Sequence, residues 1–174
     1  MGRIIFILGG ARSGKSTYAL ELAKKYKKVA FIATCQGLDA EMKKRIRLHQ
    51  KTRPKHWSTF EESNDLEPLL MKISKRFNCA IIDCLTLWVS NLILGEYKQG
   101  EIIKKVNALL SKLRSKRTKI IMVSNEVGLG IVPAHKLGRD FRDIAGKVNQ
   151  LVAKEADEVF FMVSGIPWRI KCKT

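Results

Sequence analysis

The stretch "RIIFILGGARSGKST" (residues 3–17) decides the fold. Its apolar first half predicts a buried β-strand over residues 3–8, and "GGARSGKS" (Gly9–Ser16) fits the spacing G-x-x-x-x-G-K-[ST] at the start of a helix. Glycines allow backbone N–H groups to surround phosphate oxygens, and a helix N-terminus adds positive charge. A chance glycine-rich turn is the alternative, but the strand before it and the helix after it favour a phosphate-binding loop.

This loop supplies most of the candidate nucleotide contacts. Lys15 is expected to reach the β- and γ-phosphates and to act in catalysis, and the Ser16 hydroxyl is expected to ligate Mg²⁺. Asp83 ends the apolar segment "CAIIDC" (79–84), where a P-loop protein places the acid that holds the magnesium shell. A cap for the following helix is the alternative role of Asp83. The predicted phosphate contacts are Gly9, Gly10, Ala11, Arg12, Ser13, Gly14, Lys15 and Ser16.

Apolar segments alternate with helix-period segments along the rest of the chain. Such alternation of Val- and Ile-rich strands with helices predicts a mostly parallel sheet with helices on both faces. We therefore expect residues 1–174 to form one α/β domain of the P-loop NTPase class, with a RecA-like sheet. The predicted strands are 3–8, 28–34, 79–84, 119–125 and 158–165, with a short strand or extended loop at 57–61, and the predicted helices are 15–26, 39–52, 65–77, 86–94, 101–116 and 139–156.

The predicted ligand edge is the one formed by the carboxyl ends of the strands, because open α/β sheets bind their ligands there. Five connections are expected to meet at this edge: 9–16, 34–38, 84–86, 124–135 and 164–168. Candidate binding residues outside the phosphate loop are therefore expected in the other four.

Charge is the unusual feature of the composition. The 174 residues include 33 Lys and Arg against 16 Asp and Glu, a net charge of +17. This excess suits nucleic acid, anionic lipid or phosphorylated small molecules as partners, and a Lys-rich solvated surface explains it equally well. The basic residues are spread along the chain rather than concentrated in one tail, so we expect no nucleic-acid partner.

The cysteines and the apolar segments indicate a cytoplasmic protein. Cys35, Cys79, Cys84 and Cys172 form no C-x-x-C pair, and no histidine lies at zinc-ligand spacing from them. Reduced thiols are typical of the cytosol. The apolar run after Arg3 is too short for a signal peptide, and no stretch is long enough to span a membrane.

The stretch "RIRLHQKTRPKHWSTFEE" (residues 45–62) raises a second possibility, since it holds a histidine among cations. Arg45, His49 and Arg53 are spaced i, i+4, i+8, so they share one face of a helix that ends before Pro54. Two guanidinium groups would lower the pKa of the imidazole and keep it neutral and nucleophilic beside a bound triphosphate. The spacing alone leaves a solvent-exposed helix histidine as an alternative.

Five segments together resemble one enzyme family. They are "GGARSGKS", "RIRLHQKTRPKHWSTFEE", "DCLTLWVSNL", "SNEVGLGIVP" and "LGRDFRDIAGKVNQLVAKEADEVFFMVSGIP". The chain resembles, from Ile4 to Lys171, the bifunctional adenosylcobinamide kinase / adenosylcobinamide-phosphate guanylyltransferase family of cobalamin biosynthesis. The phosphate loop is generic, whereas the patterns R-I-x-x-H-x-x-x-R-P-x-x-W and N-E-V-G-x-G-I-V-P are more specific. This sequence keeps both, at residues 45–57 and Asn125–Pro133.

The resemblance implies two reactions and a covalent intermediate. ATP or GTP phosphorylates the aminopropanol hydroxyl of adenosylcobinamide. His49 is the residue that becomes guanylylated: it attacks the α-phosphate of GTP, releases pyrophosphate and passes GMP to the phosphate made in the first reaction. The product is adenosylcobinamide-GDP. Mg²⁺ is the implied cofactor, the corrinoid and nucleoside triphosphates are the implied partners, and a propeller-like homotrimer is the implied assembly.

The resemblance also implies further nucleotide contacts. They lie after the second strand (Thr34, Cys35, Gln36), just past the histidine (Gln50, Lys51, Thr52, Arg53) and at two acids (Glu61, Asp83). Two rival functions remain open from the residues themselves. One is a P-loop kinase of another small metabolite with a structural His49, and the other is a basic nucleic-acid-binding ATPase. The lack of aromatic residues interleaved with basic motifs disfavours the latter.

Overall fold

Six parallel strands and one antiparallel strand form a single sheet in the computed structural model, which describes residues 3–36, 50, 53–115 and 117–173. The strands are β1 (Ile4–Gly9), β2 (Val29–Ala33), β3 (Ser58–Glu61), β4 (Cys79–Asp83), β5 (Lys119–Val123), β6 (Glu158–Val163) and β7 (Ile166–Cys172). The helices are α1 (Lys15–Ala23), α2 (Leu66–Ile73), α3 (Leu85–Leu94), α4 (Gln99–Arg114) and α5 (Lys136–Glu155).

The strand order β3-β2-β4-β5-β1-β6-β7 places the phosphate loop near the middle of the sheet. Strand β1 lies between β5 and β6 and is parallel to both, with Ile4 opposite Ile120 and Phe6 opposite Val159. Strand β5 in turn separates β1 from β4, which ends in Asp83. The loop after β1, Asp83 and the segment after β5 therefore lie at one edge of the sheet, as expected for parallel strands.

Helices cover both faces of the sheet, which confirms the predicted architecture. The first five residues of β1, which are all apolar, belong to the hydrophobic core, and they alternate between two clusters of buried side chains. Phe6 packs in the cluster that includes α2, α3, α4 and α5, whereas Ile7 packs in the cluster that includes α1. Each of these side chains is fully buried, and burial of such a side chain stabilises the fold by about 1.5–3 kcal/mol.

The helix ends differ from the predicted ones by a few residues. Helix α1 ends at Ala23 instead of residue 26, and α4 begins at Gln99 instead of residue 101. The earlier start of α4 has a cap: the Lys98 N–H donates to Glu101 Oε2 at 2.8 Å, so a carboxylate satisfies a backbone donor at the helix start. The helix predicted over 39–52 lies outside the described residues apart from Gln50.

Strand β7 was not predicted from the sequence. The turn between β6 and β7 consists of Ser164 and Gly165, with φ of 51° and 85°. Positive φ at both central residues is the two-residue hairpin geometry that reverses a chain into an antiparallel neighbour. The Gly165 N–H also donates to the carbonyl of Ser13 at 3.0 Å, so this turn contacts the phosphate loop.

None of the helices in the described part of the chain has both the length and the apolar character that crossing a membrane requires.

Candidate nucleotide site

The phosphate loop has the backbone conformation that its glycines allow. Gly9 and Gly14 have φ of 150° and 93°, and Arg12 is a non-glycine residue with a positive φ of 58°. Gly14 caps α1 without any side-chain hydrogen bond to the helix. The first N–H groups of the helix therefore have no side-chain cap, and such groups bind anions.

Gly9 is required for two reasons, its φ and its close neighbours. A Cβ at this position would lie 2.6 Å from the Met162 carbonyl oxygen and 2.7 Å from Ser13 Oγ. We expect Gly9→Ala to lower the free energy of unfolding by about 2–4 kcal/mol, because strain at positive φ adds to overpacking. Urea denaturation measures this loss. The control is Gly10→Ala, where no atom lies within 4 Å of the added Cβ, and an equal loss in both variants would contradict the steric explanation.

Lys15 places a buried cation in the loop. Lys15 is only 7% exposed, and its Nζ donates a hydrogen bond to the Gly10 carbonyl at 2.5 Å. Burial lowers the pKa of Lys15, while the charges of Cys84 and Asp83 act in the opposite direction. Burial also raises the pKa of the Cys84 thiol to about 12, so this thiol is neutral at pH 7 and Asp83 is the effective counter-charge.

A pocket of about 380 Å³ opens beside the loop and brings together most of the predicted contacts. The predicted residues that line it are Ala11, Arg12, Ser13, Gly14, Lys15, Ser16, Cys35, Arg53 and Asp83. Four further lining residues were not predicted, which are Thr17, Ala33, Leu87 and Val123, and Cys84 lines the pocket from the predicted connection 84–86. Asn125, from the predicted loop after β5, lines the pocket as well. Proximity to a strand end was the signal available for Ala33 and Val123, which are the last residues of β2 and β5.

Arg53 contributes a further cation to the pocket, beside Lys15 and the exposed Arg12. Its guanidinium lies over the Phe31 ring, 3.6 Å from the ring centroid, and its Nη1 is 3.4 Å from Thr59 Oγ1. Burial lowers the pKa of Arg53, and the negative charges of Asp83 and Glu61 oppose that shift. Two partly desolvated cations, Lys15 and Arg53, therefore line one pocket with one carboxylate, an arrangement that suits a polyphosphate with its metal ion.

Several predicted contacts are not brought to this pocket. Thr34 is fully buried, and its hydroxyl accepts from the Cys84 N–H at 2.8 Å and donates to the Cys84 carbonyl at 2.7 Å. Gln36, Gln50 and Glu61 are exposed and do not line the pocket, and neither do Gly9 and Gly10. His49, Lys51 and Thr52 lie outside the described residues, so their roles stay predictions.

A buried polar network fixes the end of β5 and was not predicted. Thr86 Oγ1 accepts from the Asn125 N–H at 2.6 Å and lies 3.0 Å from Ser124 Oγ. Asn149 of α5 donates through Nδ2 to the Asn125 carbonyl at 3.1 Å. Side chains from two helices, Thr86 of α3 and Asn149 of α5, thus hold the backbone of the pocket residue Asn125. Polar residues inside the apolar helix segment "LTLWVSNLIL" were the available signal.

Ser16 and Asp83 fit a magnesium site. Both line the pocket, and the part of the chain that the structure describes has no cluster of three or more His, Cys, Asp or Glu side chains that could hold a metal. Mg²⁺ needs no such cluster, because it binds through one or two protein oxygens, water and substrate phosphates.

These features define a P-loop nucleotide-binding protein with a RecA-like sheet: a glycine loop between a buried strand and a helix, a buried lysine, and an acid at the end of a second strand. The fold is shared with a KaiC-like protein, PH0186, from Pyrococcus horikoshii OT3, with a TM-score of 0.54 and 13% identity over 92% of this chain and 70% of that one. The chain belongs to the cobinamide kinase / cobinamide phosphate guanyltransferase family, whose model matches residues 5–170.

Named relatives share about two fifths of their residues with this chain over nearly their whole length. The bifunctional adenosylcobalamin biosynthesis protein CobP of Pseudomonas aeruginosa is 43% identical over 166 residues, 95% of either chain. The bifunctional adenosylcobalamin biosynthesis proteins CobU of Escherichia coli and Salmonella typhimurium are 39% and 40% identical over 180 residues, 97% of this chain and 99% of theirs.

Proposed function

We propose that this protein performs both reactions of its family. It phosphorylates the aminopropanol hydroxyl of adenosylcobinamide, and it then transfers GMP from GTP to that phosphate to give adenosylcobinamide-GDP and pyrophosphate. Family membership supports this assignment. The observation that carries it is the pocket in which Lys15, Arg53 and Asp83 meet the phosphate loop.

In the kinase reaction, the substrate hydroxyl oxygen attacks the γ-phosphorus and the bond from that phosphorus to the β–γ bridging oxygen breaks. The nucleoside diphosphate leaves, and the hydroxyl proton is released to solvent. Lys15 offsets charge on the transferred group, and the uncapped N-terminus of α1 holds the phosphates. The Ser13 hydroxyl is buried without a hydrogen-bond partner among the described residues. A phosphate oxygen in the loop would accept a hydrogen bond from it.

In the transfer reaction, a ring nitrogen of His49 attacks the α-phosphorus of GTP. The bond from that phosphorus to the bridging oxygen breaks, and pyrophosphate leaves from the phosphate loop. An oxygen of the corrinoid phosphate then attacks the phosphorus of the GMP–histidine intermediate, the P–N bond breaks, and the imidazole is free again. Arg53, four residues beyond His49 in the chain, lines the pocket and offers positive charge to the triphosphate.

Mg²⁺ is the proposed cofactor, held by the Ser16 hydroxyl and Asp83. When bound, it neutralises charge on the phosphates that the loop also holds. Asp83 additionally opposes the cost of burying Lys15, since its charge acts to keep the ammonium protonated.

The remaining nucleotide contacts are proposed partly from the geometry of the pocket and partly from the family resemblance. Cys35 lines the pocket and is therefore proposed to contact the nucleotide directly. Thr34 acts through its hydrogen bonds to Cys84, which hold the ends of β2 and β4 together. Arg53 also lines the pocket, whereas Gln36, Gln50, Lys51, Thr52 and Glu61 are proposed as contacts of the guanine nucleotide from the family resemblance.

We further propose a cytoplasmic homotrimer. The cytoplasm supplies ATP and GTP, and Cys79, Cys84 and Cys172 are thiols outside any disulfide, as a reducing compartment maintains. Strand β7 lies at an edge of the sheet and exposes Ile166, Trp168 and Ile170 by 69%, 65% and 51%. An edge strand with exposed apolar side chains is a surface for another chain.

The test of the proposed function is a sequence of two assays with the full chain. Incubation with GTP and Mg²⁺ is expected to raise the intact mass by one GMP, and addition of phosphorylated adenosylcobinamide is expected to remove that mass. Incubation of adenosylcobinamide with ATP is expected to yield its phosphate. A kinase of another metabolite would phosphorylate a different acceptor without any GMP adduct, and a nucleic-acid-binding ATPase would show hydrolysis stimulated by DNA or RNA.

A further inference from the structure

The phosphate pocket is too small for the corrinoid that the proposed function requires. Its volume of about 380 Å³ is near the lower end of the range for small-molecule sites and suits a nucleotide. A corrin macrocycle with its amide arms and adenosyl ligand is much larger. Most of the corrinoid must therefore rest on a surface outside the pocket, close enough for its aminopropanol hydroxyl to reach the bound phosphates.

The loop between β5 and α5 (residues 124–135, here the β5–α5 loop) presents an apolar surface beside the pocket. Its side chains Leu129, Ile131 and Val132 are 79%, 94% and 64% exposed. Asn125, near the start of the loop, lines the pocket itself, so the exposed apolar side chains follow a pocket residue within seven positions of the chain. Several large apolar side chains exposed within one short loop mark a binding surface rather than scattered surface residues.

Hydrogen bonds fix the β5–α5 loop at both ends. Near its start, the Glu126 N–H donates to the Gly9 carbonyl at 3.0 Å, at the beginning of the phosphate loop. At its end, the Arg139 guanidinium donates to two consecutive carbonyls, those of Pro133 at 3.1 Å and Ala134 at 2.5 Å. A loop held in this way loses little conformational freedom when a ligand binds to its tip, which favours affinity.

We propose that the β5–α5 loop is the docking surface for the corrin ring, with Leu129, Ile131 and Val132 against an apolar face of the macrocycle. This inference rests on the proposed function. A second copy of the chain is the other occupant that such a surface could accept. We assign that role to β7 instead, because its exposed apolar side chains lie along an unpaired edge of the sheet, where strand addition also satisfies backbone groups.

Equilibrium binding separates the two occupants. The variants are Ile131→Ser and Leu129→Ser/Ile131→Ser, and the probe is adenosylcobinamide in equilibrium dialysis, followed through the visible absorbance of the corrin. We expect Kd for the corrinoid to rise about tenfold in the single variant and further in the double variant, because each buried aliphatic side chain contributes that order of affinity. Kd for GTP is expected to change less than about twofold, since neither side chain lines the pocket.

The matched control is Leu94→Ser, which changes an apolar residue that is 62% exposed at the end of α3 and does not line the pocket. This variant is expected to leave both Kd values unchanged.

An unchanged corrinoid Kd in the folded double variant overturns the proposal, whether or not the molecular mass in solution changes. An equal rise in both Kd values also overturns it. Ile131 is 94% exposed, so its variant is expected to keep the wild-type Tm. Wild-type protein that binds no corrinoid at all contradicts the proposed function itself, a result distinct from equal binding by wild type and loop variants.

Discussion

Lys15→Ala is expected to reduce kcat/KM of both reactions by on the order of 10³-fold, because both reactions develop charge on phosphates held by the same loop. Lys15 is buried beside that charge, with Nζ bound to the Gly10 carbonyl. Initial-rate assays of adenosylcobinamide phosphorylation and of GMP transfer measure the loss. Lys24→Ala is the control, since Lys24 is an exposed residue of the segment after α1 that pairs with Glu21 at 2.5 Å. Full kinase activity in Lys15→Ala would contradict a shared phosphate site.

Lys15→Ala is expected to be at least as stable as wild type when no ligand is bound. Burial lowers the pKa of Lys15 from its usual value near 10.5, so the unfolded state binds more protons in the window between the lowered pKa and 10.5, and stability rises with pH across that window. Below it, the buried ammonium opposes folding, and its removal relieves that cost. Thermal unfolding measures this: without ligand, the Tm of Lys15→Ala should not fall below that of wild type. MgGTP should raise the Tm less in Lys15→Ala than in wild type, because a contact with the phosphates is lost.

His49→Ala is expected to abolish the GMP adduct and the formation of adenosylcobinamide-GDP, a loss of at least about 10³-fold, because the nucleophile of the transfer reaction is gone. Phosphorylation of adenosylcobinamide by ATP is expected to stay within a few-fold of wild type, since the phosphate loop is intact. Intact-mass spectrometry after GTP treatment measures the first effect, and product chromatography measures both.

His56→Ala is the matched control for His49→Ala. His56 lies in the same basic segment, is exposed, and contacts the Trp57 ring edge-on at a centroid distance of 6.5 Å. It is expected to form the GMP adduct as wild type does. An adduct that persists in His49→Ala, or that disappears only in His56→Ala, would move the nucleophile away from His49.

The parts of the site that depend on local sequence could be predicted from the sequence alone. The phosphate loop needs only its glycines, Lys15 and the strand and helix beside it, and all of these are adjacent in the chain. Asp83 could be placed because an apolar strand ends there, and parallel strands bring their carboxyl ends to one edge. The parallel sheet and its two helical layers followed from the same alternation of segments.

Side-chain direction could not be predicted in this way. Thr34 follows β2 just as a ligand-binding residue would, yet its hydroxyl points to the Cys84 backbone and is fully buried. Strand β7 was missed for another reason: six of its seven residues are exposed, so the segment "IPWRIKC" lacks the apolar continuity of a buried strand. The Ser164–Gly165 turn was the signal that could have indicated a hairpin.

The contact between that hairpin turn and the phosphate loop has a practical consequence for anyone who makes shortened or fused versions of this protein. Gly165 donates to the Ser13 carbonyl, and a Cβ at Gly14 would lie 3.2 Å from the Gly165 Cα, so the two turns support each other. A deletion that removes β7, or a bulky reporter joined directly to it, therefore disturbs the catalytic loop from the far end of the chain. The exposed turn at 95–98 is a safer place for a label.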